Sequence, residues 1–302
     1  MLSTQPFEIP AAQMSRAARV ARKSAAVAGA DSEVALLSAR RAAEEGLIRP
    51  VLVGDESRIR SLSEKISWDI GDVEVIGCSD ETETSVKSVA LARTGEVEIL
   101  IKGSVHTDAL MRAAVDRENG LRSDRRMSHV FQMTFPDHGR ALYITDASLN
   151  VAPSVDLSVQ ITCNAVDLLH RLGMTSPKVA VLSAVEVATP SVPSSMNAAE
   201  IARRATAGEV ENAIVEGPLS LDLAVSPDAA SVKGLKSRVA GQADLLVVPN
   251  IETGNALFKA LVYFRSATAA GLVLGASVPI VLTSRADPPE ARLAAVALAM
   301  MM

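Results

Sequence analysis

Short, uninterrupted apolar runs recur along this chain, each closed by Gly, Asp, Ser, Thr or Pro and alternating with segments of helical periodicity. They lie at Pro50 to Asp55, Val73 to Gly77, Ile99 to Gly103, Ala141 to Asp146, Val179 to Ser183, Leu245 to Pro249 and Ile280 to Ser284. A strand that is apolar on both faces needs cover on both sides, as in a parallel sheet layered between helices. Ser32 to Gly46 and Glu56 to Ile66 carry the helical spacing, the former closing on a glycine. The expected fold class is α/β, and aromatic residues at only 3% fit a core of Ala, Val, Leu and Ile.

At roughly 150 residues per domain, 302 residues suggest two domains. A hydrophobic share of 48% against 22% charged excludes a mostly disordered chain. With 30 basic and 35 acidic residues, net −5, no global field gathers nucleic acid or an anionic membrane, so neither partner is expected. Cys78 and Cys163 are too few for a disulfide framework or a cysteine-rich metal site, and fit a reducing cytoplasm. The N-terminus has no apolar signal region. The most apolar stretch, Ala269 to Leu282, is broken by Gly271, Gly275, Ser277 and Pro279 and is too short to span a bilayer. These features describe a soluble cytoplasmic protein. Pro190 to Ser195, rich in proline and serine, is expected to be a mobile surface loop.

In α/β sheets, ligands bind beyond the carboxyl ends of the strands, which singles out Lys102-Gly103, Thr145-Asp146, Ser183, Pro249 and Ser284-Arg285. Thr283-Ser284-Arg285 follows a strand and precedes Pro288-Pro289-Glu290, where a helix can start; hydroxyl, guanidinium and backbone N–H groups there suit a phosphate or only a capped helix. Lys102-Gly103 leads toward a helix bearing Arg112, then Gly120-Leu121-Arg122 and Ser128-His129. A lysine and an arginine can share one phosphate, the first as a point charge and the second as a fork. His106 and His129 read either as structural or as catalytic, and no spacing pairs them into a metal motif. Thr253-Gly254-Asn255 reads as the opening turn of a helix, offering N–H groups and Asn255 to a ligand, with Lys259 one turn on or simply solvated. No GxGxxG, GxxxxGK[ST] or GxSxG motif occurs.

From about residue 100 onward the chain resembles the phosphate acetyl/butyryl transferases, more closely the butyryltransferase-like branch. The resemblance rests on Lys102-Gly103, Gly120 to Arg122 with Ser128-His129, and Thr145-Asp146-Ala147 through Asn150 and Pro153. It continues through Pro177 to Leu182, Gly217-Pro218-Leu219 with Asp222, Val239 to Asp244, Gly254-Asn255 with Lys259, and Pro279 to Asp287. The family implies two α/β/α domains with a cleft between them, like the isocitrate and isopropylmalate dehydrogenases. A discontinuous first domain would hold residues 1–125 plus 278–302 and a second one residues 126–277. It further implies a cytoplasmic homodimer that transfers an acetyl or butyryl group reversibly between coenzyme A and inorganic phosphate, through an acyl phosphate, with no prosthetic group and no metal.

Carried over motif by motif, Arg112 matches the arginine that holds phosphate, Ser284 the serine near the reacting centre and Arg285 the arginine that contacts coenzyme A. Lys102, Gly103, Arg122, Ser128, Thr145, Asp146, Gly254, Asn255 and Lys259 fall in the matching substrate-binding stretches. Acyl transfer needs a base for the thiol proton and a donor for the tetrahedral oxyanion. The aspartate that the acetyltransferases carry seven residues after the serine is replaced by Ala291, so Glu290 or Asp287 would have to serve as base. A second family arginine, in an insertion before Lys102, has no counterpart, which shifts phosphate binding onto Arg112, Arg122 and Lys102. Two alternatives remain: a non-catalytic or altered coenzyme A-binding paralogue, attached to an enoyl-CoA hydratase-type partner in one version, and a same-fold NAD-dependent dehydrogenase.

Overall fold

A computed structural model describes residues 2–284 and 286–302. The first elements are α1 (Ala11–Ala17), β1 (Lys23–Ala28), α2 (Glu33–Glu44), β2 (Ile48–Gly54), α3 (Glu56–Lys65), β3 (Glu74–Gly77), α4 (Glu81–Thr94), β4 (Ile99–Lys102) and α5 (Thr107–Ala114). There follow β5 (Ser128–Phe135), β6 (His138–Thr145), α6 (Val155–Arg171), β7 (Lys178–Leu182), α7 (Pro193–Arg204), β8 (Ile214–Leu219), α8 (Leu221–Val225), α9 (Pro227–Val232), β9 (Leu245–Val247) and α10 (Ile251–Arg265). The chain closes with β10 (Thr268–Leu274), β11 (Ile280–Val281) and α11 (Pro289–Met300). The fold is mixed α/β, and no helix among the described residues is long and apolar enough to cross a membrane.

The chain divides into two compact units, a discontinuous one of Phe7–Arg125 with Ala270–Met302 and a central one of Arg126–Ala269 with the first residues through Pro6. In the discontinuous unit the strand order is β3-β2-β1-β4-β11-β10. The β1–β2, β1–β4, β2–β3 and β4–β11 pairs are parallel, as continuous apolar strands require. Its helices start at side-chain caps: Ser32 accepts the Ala35 N–H, Asp55 that of Arg58 and Asp80 that of Glu83. Gly46, at φ +73°, closes α2 in the left-handed region, and β2 begins immediately. Val27, Leu36, Ala39, Leu52 and Ile59 pack the interface of β1 and β2 with α2 and α3.

The central unit has the order β5-β6-β9-β7-β8. Its core gathers Phe131, Met133, Ile144, Ala180, Leu223 and Leu246, with Phe131 stacked on Phe258 of α10 at 4.1 Å. Pairing here and in the discontinuous unit is not parallel throughout, contrary to the sequence expectation: β5–β6 and β10–β11 are antiparallel. Both are consecutive strands joined by short connections, and a parallel pair would need a crossover of a dozen residues or more.

Pro190 to Ser195 also departs from expectation. Pro193 starts α7, and Ser195, fully buried, accepts the Thr189 N–H at 2.9 Å and donates to Val192 O at 2.7 Å. Proline at the first helical position loses no intrahelical bond, so a proline-rich stretch here opens a helix.

Candidate active site

The site begins where β1 and β4 end side by side. Gly103 N–H donates to Ala28 O at 2.8 Å and Ser104 N–H to Gly29 O at 2.8 Å, folding the turn after β4 over the turn after β1. The approach is tight enough that a Cβ on Gly103 would stand 2.3 Å from the Gly29 carbonyl oxygen. Ser104 Oγ donates to Asp31 Oδ1 at 2.6 Å, pinning the two turns together.

Beyond these strand ends lies a cavity of about 430 Å³, whose polar lining includes Ser32, Arg58, Lys102, Ser104, Ser284 and Arg292. Lys102 is buried and donates from Nζ to Val105 O at 3.1 Å. Its aliphatic floor is Val27, Ile101, Val281 and Val296. Glu33, the acid on the wall, is paired with Lys65 of α3 at 2.5 Å. The remaining balance of Lys102 and Arg58 beside several hydroxyls suits an anionic group and can stabilise negative charge developing on an oxygen.

Ser284 reaches the cavity from the loop after β11 and is exposed. Its N–H donates to Asp287 Oδ2 at 2.6 Å, and its Oγ accepts the Ala286 N–H at 3.3 Å. Its carbonyl oxygen receives the Asp287 N–H at 3.2 Å and Arg292 Nη2 at 3.3 Å. Burial pulls the Arg292 guanidinium below the usual arginine range, and the charge of the Asp287 carboxylate opposes that shift. Arg285 lies outside the described residues.

The two carboxylates expected to act as base are differently engaged. Asp287 is bonded to Ser284, whereas Glu290 faces Arg41 of α2 at 3.6 Å. Ala291, where the resemblance led one to expect an aspartate, is buried on α11. Gly103 and Lys102 share the cavity with Ser284, but Arg112 does not. It is exposed on α5 and lines a separate hollow of about 300 Å³ with Thr82, Val86 and Asp116. Arg122 is exposed and bridges to Ala276 through its backbone.

In the central unit the expected residues gather at the ends of β5 and β6. Ser128 is buried and accepts from Asn164 Nδ2 at 2.9 Å, and Thr145 Oγ1 donates to His129 O at 2.8 Å. Asp146, buried, accepts the N–H groups of His129, Ser148 and Leu149 and the Asn150 amide at 2.7 to 3.0 Å. Its carboxylate braces the turn. Gly254 lets α10 press onto that turn, since a Cβ there would meet Ala147 at 2.8 Å.

Thr253-Gly254-Asn255 does not open α10, as the sequence suggested. The helix starts at Ile251 with Asn250 as cap: Asn250 Oδ1 accepts the Thr253 N–H at 2.9 Å, and the Asn250 carbonyl oxygen accepts the Gly254 N–H at 3.3 Å as a helical bond. Asn250, three residues before Thr253, supplies the side-chain cap and so starts the helix upstream of the Thr-Gly-Asn turn. Those two N–H groups are therefore committed within the first turn of the helix. Asn255 is half-buried, and Lys259 is exposed with Nζ 5.9 Å from the Phe258 ring centre.

Sequence reasoning missed Ser32, Arg58 and Arg292. For Arg292 a signal was present: it is the single polar residue between Ala291 and Met300. Among the described residues no group of three or more His, Cys, Asp and Glu side chains is placed to hold a metal ion.

Residues 79–300 match the family described as "Phosphate acetyl/butaryl transferase". The phosphate acetyltransferase of Rhizobium meliloti is 46% identical over 267 residues, covering 88% of this chain and 84% of that protein. The phosphate butyryltransferase of Clostridium acetobutylicum is 38% identical over 277 residues, 92% of each chain. Among solved structures, a branched-chain phosphotransacylase from Enterococcus faecalis V583 superposes with a TM-score of 0.82 at 33% identity, covering 92% of this chain and 98% of that one. A 4-hydroxythreonine-4-phosphate dehydrogenase from Klebsiella pneumoniae reaches a TM-score of 0.56 at 14% identity over 92% of this chain and 98% of that one, a likeness of fold alone.

Proposed function

This chain belongs to the phosphate acetyl/butyryl transferase family, and from that premise we propose how its residues carry out the reaction. The protein is an acyltransferase that moves a short acyl group reversibly between coenzyme A and inorganic phosphate. In the direction of acyl-CoA formation, the thiol sulfur attacks the acyl-phosphate carbonyl carbon, a C–S bond forms, and the C–O bond to phosphate breaks. The thiol proton leaves to a base, and the carbonyl oxygen carries negative charge in between.

The observation that carries the assignment of residues is the cavity that joins Ser284 to Lys102 and Arg292. Ser284 Oγ accepts from Ala286 N–H, which leaves its own hydroxyl hydrogen to point at the reacting carbonyl oxygen. Lys102 supplies the fixed positive charge beside it, and Gly103 lets the backbone approach. Of the two carboxylates, Asp287 is the one in contact with Ser284 and is the candidate acceptor of the thiol proton; Glu290 serves its pairing with Arg41.

The family resemblance supports the finer reading. It has two α/β/α domains of the isocitrate and isopropylmalate dehydrogenase kind with the reaction in a cleft, and a cytoplasmic homodimer without a prosthetic group. By that resemblance Arg285 contacts coenzyme A, Arg112 and Arg122 contribute to phosphate binding, and Ser128, Thr145, Asp146, Gly254, Asn255 and Lys259 belong to the substrate-binding stretches. Thiol release from acetyl-, propionyl- and butyryl-CoA, with and without phosphate, tests the reading: release that requires phosphate with at least one of them is expected. Phosphate-independent or absent release with all of them overturns it.

A further inference from the structure

Helix α11 is a poor place for a charge. Residues 291 to 300 read Ala-Arg-Leu-Ala-Ala-Val-Ala-Leu-Ala-Met, and every one of them except Arg292 is buried. The helix is anchored from its far side as well, where Gln13 Nε2 of α1 donates to Ala294 O at 2.7 Å. A half-buried guanidinium on such a helix loses hydration and is retained only where its N–H groups find acceptors. One acceptor is the Ser284 carbonyl oxygen, reached across the loop by Arg292 Nη2 at 3.3 Å.

Ser284 has little else to fix it. The strand before it, Ile280–Val281, is only two residues long, and the side chain is exposed. Its hydroxyl oxygen accepts only the Ala286 N–H of the same turn at 3.3 Å, so the placing of the residue depends further on bonds to its peptide groups: Asp287 takes the N–H at 2.6 Å, while Arg292 and the Asp287 N–H hold the carbonyl. The Arg292 bond ties the loop to the buried helix instead of to itself. A reacting group held only by a local turn would drift, and a misplacement of about 1 Å can lower a rate by roughly a hundredfold.

We propose that Arg292 is a positioning residue, holding the Ser284 peptide against α11 so that Ser284 Oγ stays aimed into the cavity shared with Lys102. The proposal rests on the reading of Ser284 as the hydroxyl that meets the reacting carbonyl. Arg292 acts through Ser284 and does not touch the reacting atoms.

The test is steady-state kinetics of phosphate-dependent thiol release for Ser284→Ala, Arg292→Ala, Arg292→Lys and the double variant Ser284→Ala/Arg292→Ala. Arg292→Met keeps the apolar stem and is the variant read if the alanine does not fold. Arg292→Ala is expected to lower kcat about tenfold to a hundredfold while both KM values stay within about threefold. Arg292→Lys restores part of the loss, as does guanidinium added to Arg292→Ala. The double variant is no slower than Ser284→Ala alone, because removing the hydroxyl removes what Arg292 positions.

Two results would overturn the proposal while leaving Ser284 in its role. One is an Arg292→Ala kcat within about twofold of wild type when Ser284→Ala is impaired; the other is a double variant that loses the product of the two single factors. Ser284→Ala with wild-type kcat would instead overturn the reading of Ser284, and this proposal with it.

Discussion

Gly103 sits so close to Gly29 that a Cβ on the former would stand 2.3 Å from the carbonyl oxygen of the latter. The contact is what brings the end of β4, and with it Lys102, to the end of β1, and glycine is the residue that permits it. Gly29 is constrained from its own side: its φ is +77°, and a Cβ there would meet Ser104 Oγ at 2.5 Å.

Gly103→Ala is therefore expected to destabilise the protein by about 1–3 kcal/mol, the usual cost of forcing backbone apart in a packed site. Urea unfolding measures it. A change below about 0.5 kcal/mol, the range of neutral surface substitutions, would show that the two turns part without strain.

Asp146→Asn probes the brace in the central unit. Each oxygen of this buried carboxylate accepts two donors, from His129 and Asn150 on one side and Ser148 and Leu149 on the other. An amide must turn its NH₂ against one of those pairs. Hydrogen bonds to charged groups contribute about 1.5–3 kcal/mol each, so a loss on the order of 3 kcal/mol by chemical denaturation is expected. Wild-type stability would contradict the assignment of Asp146 as a bracing residue.

Lys102 and Arg112 separate two views of where phosphate is held. Lys102 shares a cavity with Ser284, whereas Arg112 lines a different hollow. Lys102→Met is expected to raise the phosphate KM by about tenfold or more, the scale of one lost charge-assisted bond, and Arg112→Ala is expected to raise it less. The reverse order would move phosphate toward α5.

The start of α4 carries a carboxyl that resists acid. Glu83 is held from 4.5 down to about 2 by the Ser79 backbone N–H, then by Lys87 and the Ser79 hydroxyl. Its folded value lies below its unfolded one, so its contribution is complete above about pH 4.5 and is lost as the pH falls through about 2. An NMR titration of the Glu83 side-chain carboxyl is expected to give a midpoint near 2; a midpoint near 4.5 would mean that its bonds to Ser79 and Lys87 do not form in solution.

The alternation of apolar runs and helical segments was readable because strand burial and helix periodicity are written locally. Ser32 and Asp55 announce their helices in the same local way. The antiparallel β5–β6 and β10–β11 pairs were not readable, since a buried strand looks alike whichever way its neighbour runs. Pro190 to Ser195 misled because the same proline can end a loop or begin a helix, and only the buried Ser195 hydroxyl decides. At the site, Lys102-Gly103 and Ser284 were legible as strand-end residues. The placement of Arg112 in its own hollow, and of Arg292 against Ser284, depends on how α5 and α11 lie on the sheet. Spacing along the chain does not encode that packing.

The central claim is that Ser284 is the hydroxyl facing the reacting carbonyl. The most direct measurement compares Ser284→Ala with wild type in phosphate-dependent thiol release, with coenzyme A affinity measured in parallel by calorimetry. Removing one oxyanion donor typically lowers kcat by about a hundredfold to a thousandfold. A fall on that scale, with coenzyme A affinity changed by less than about threefold, is the expected result; wild-type kcat in Ser284→Ala would contradict the account.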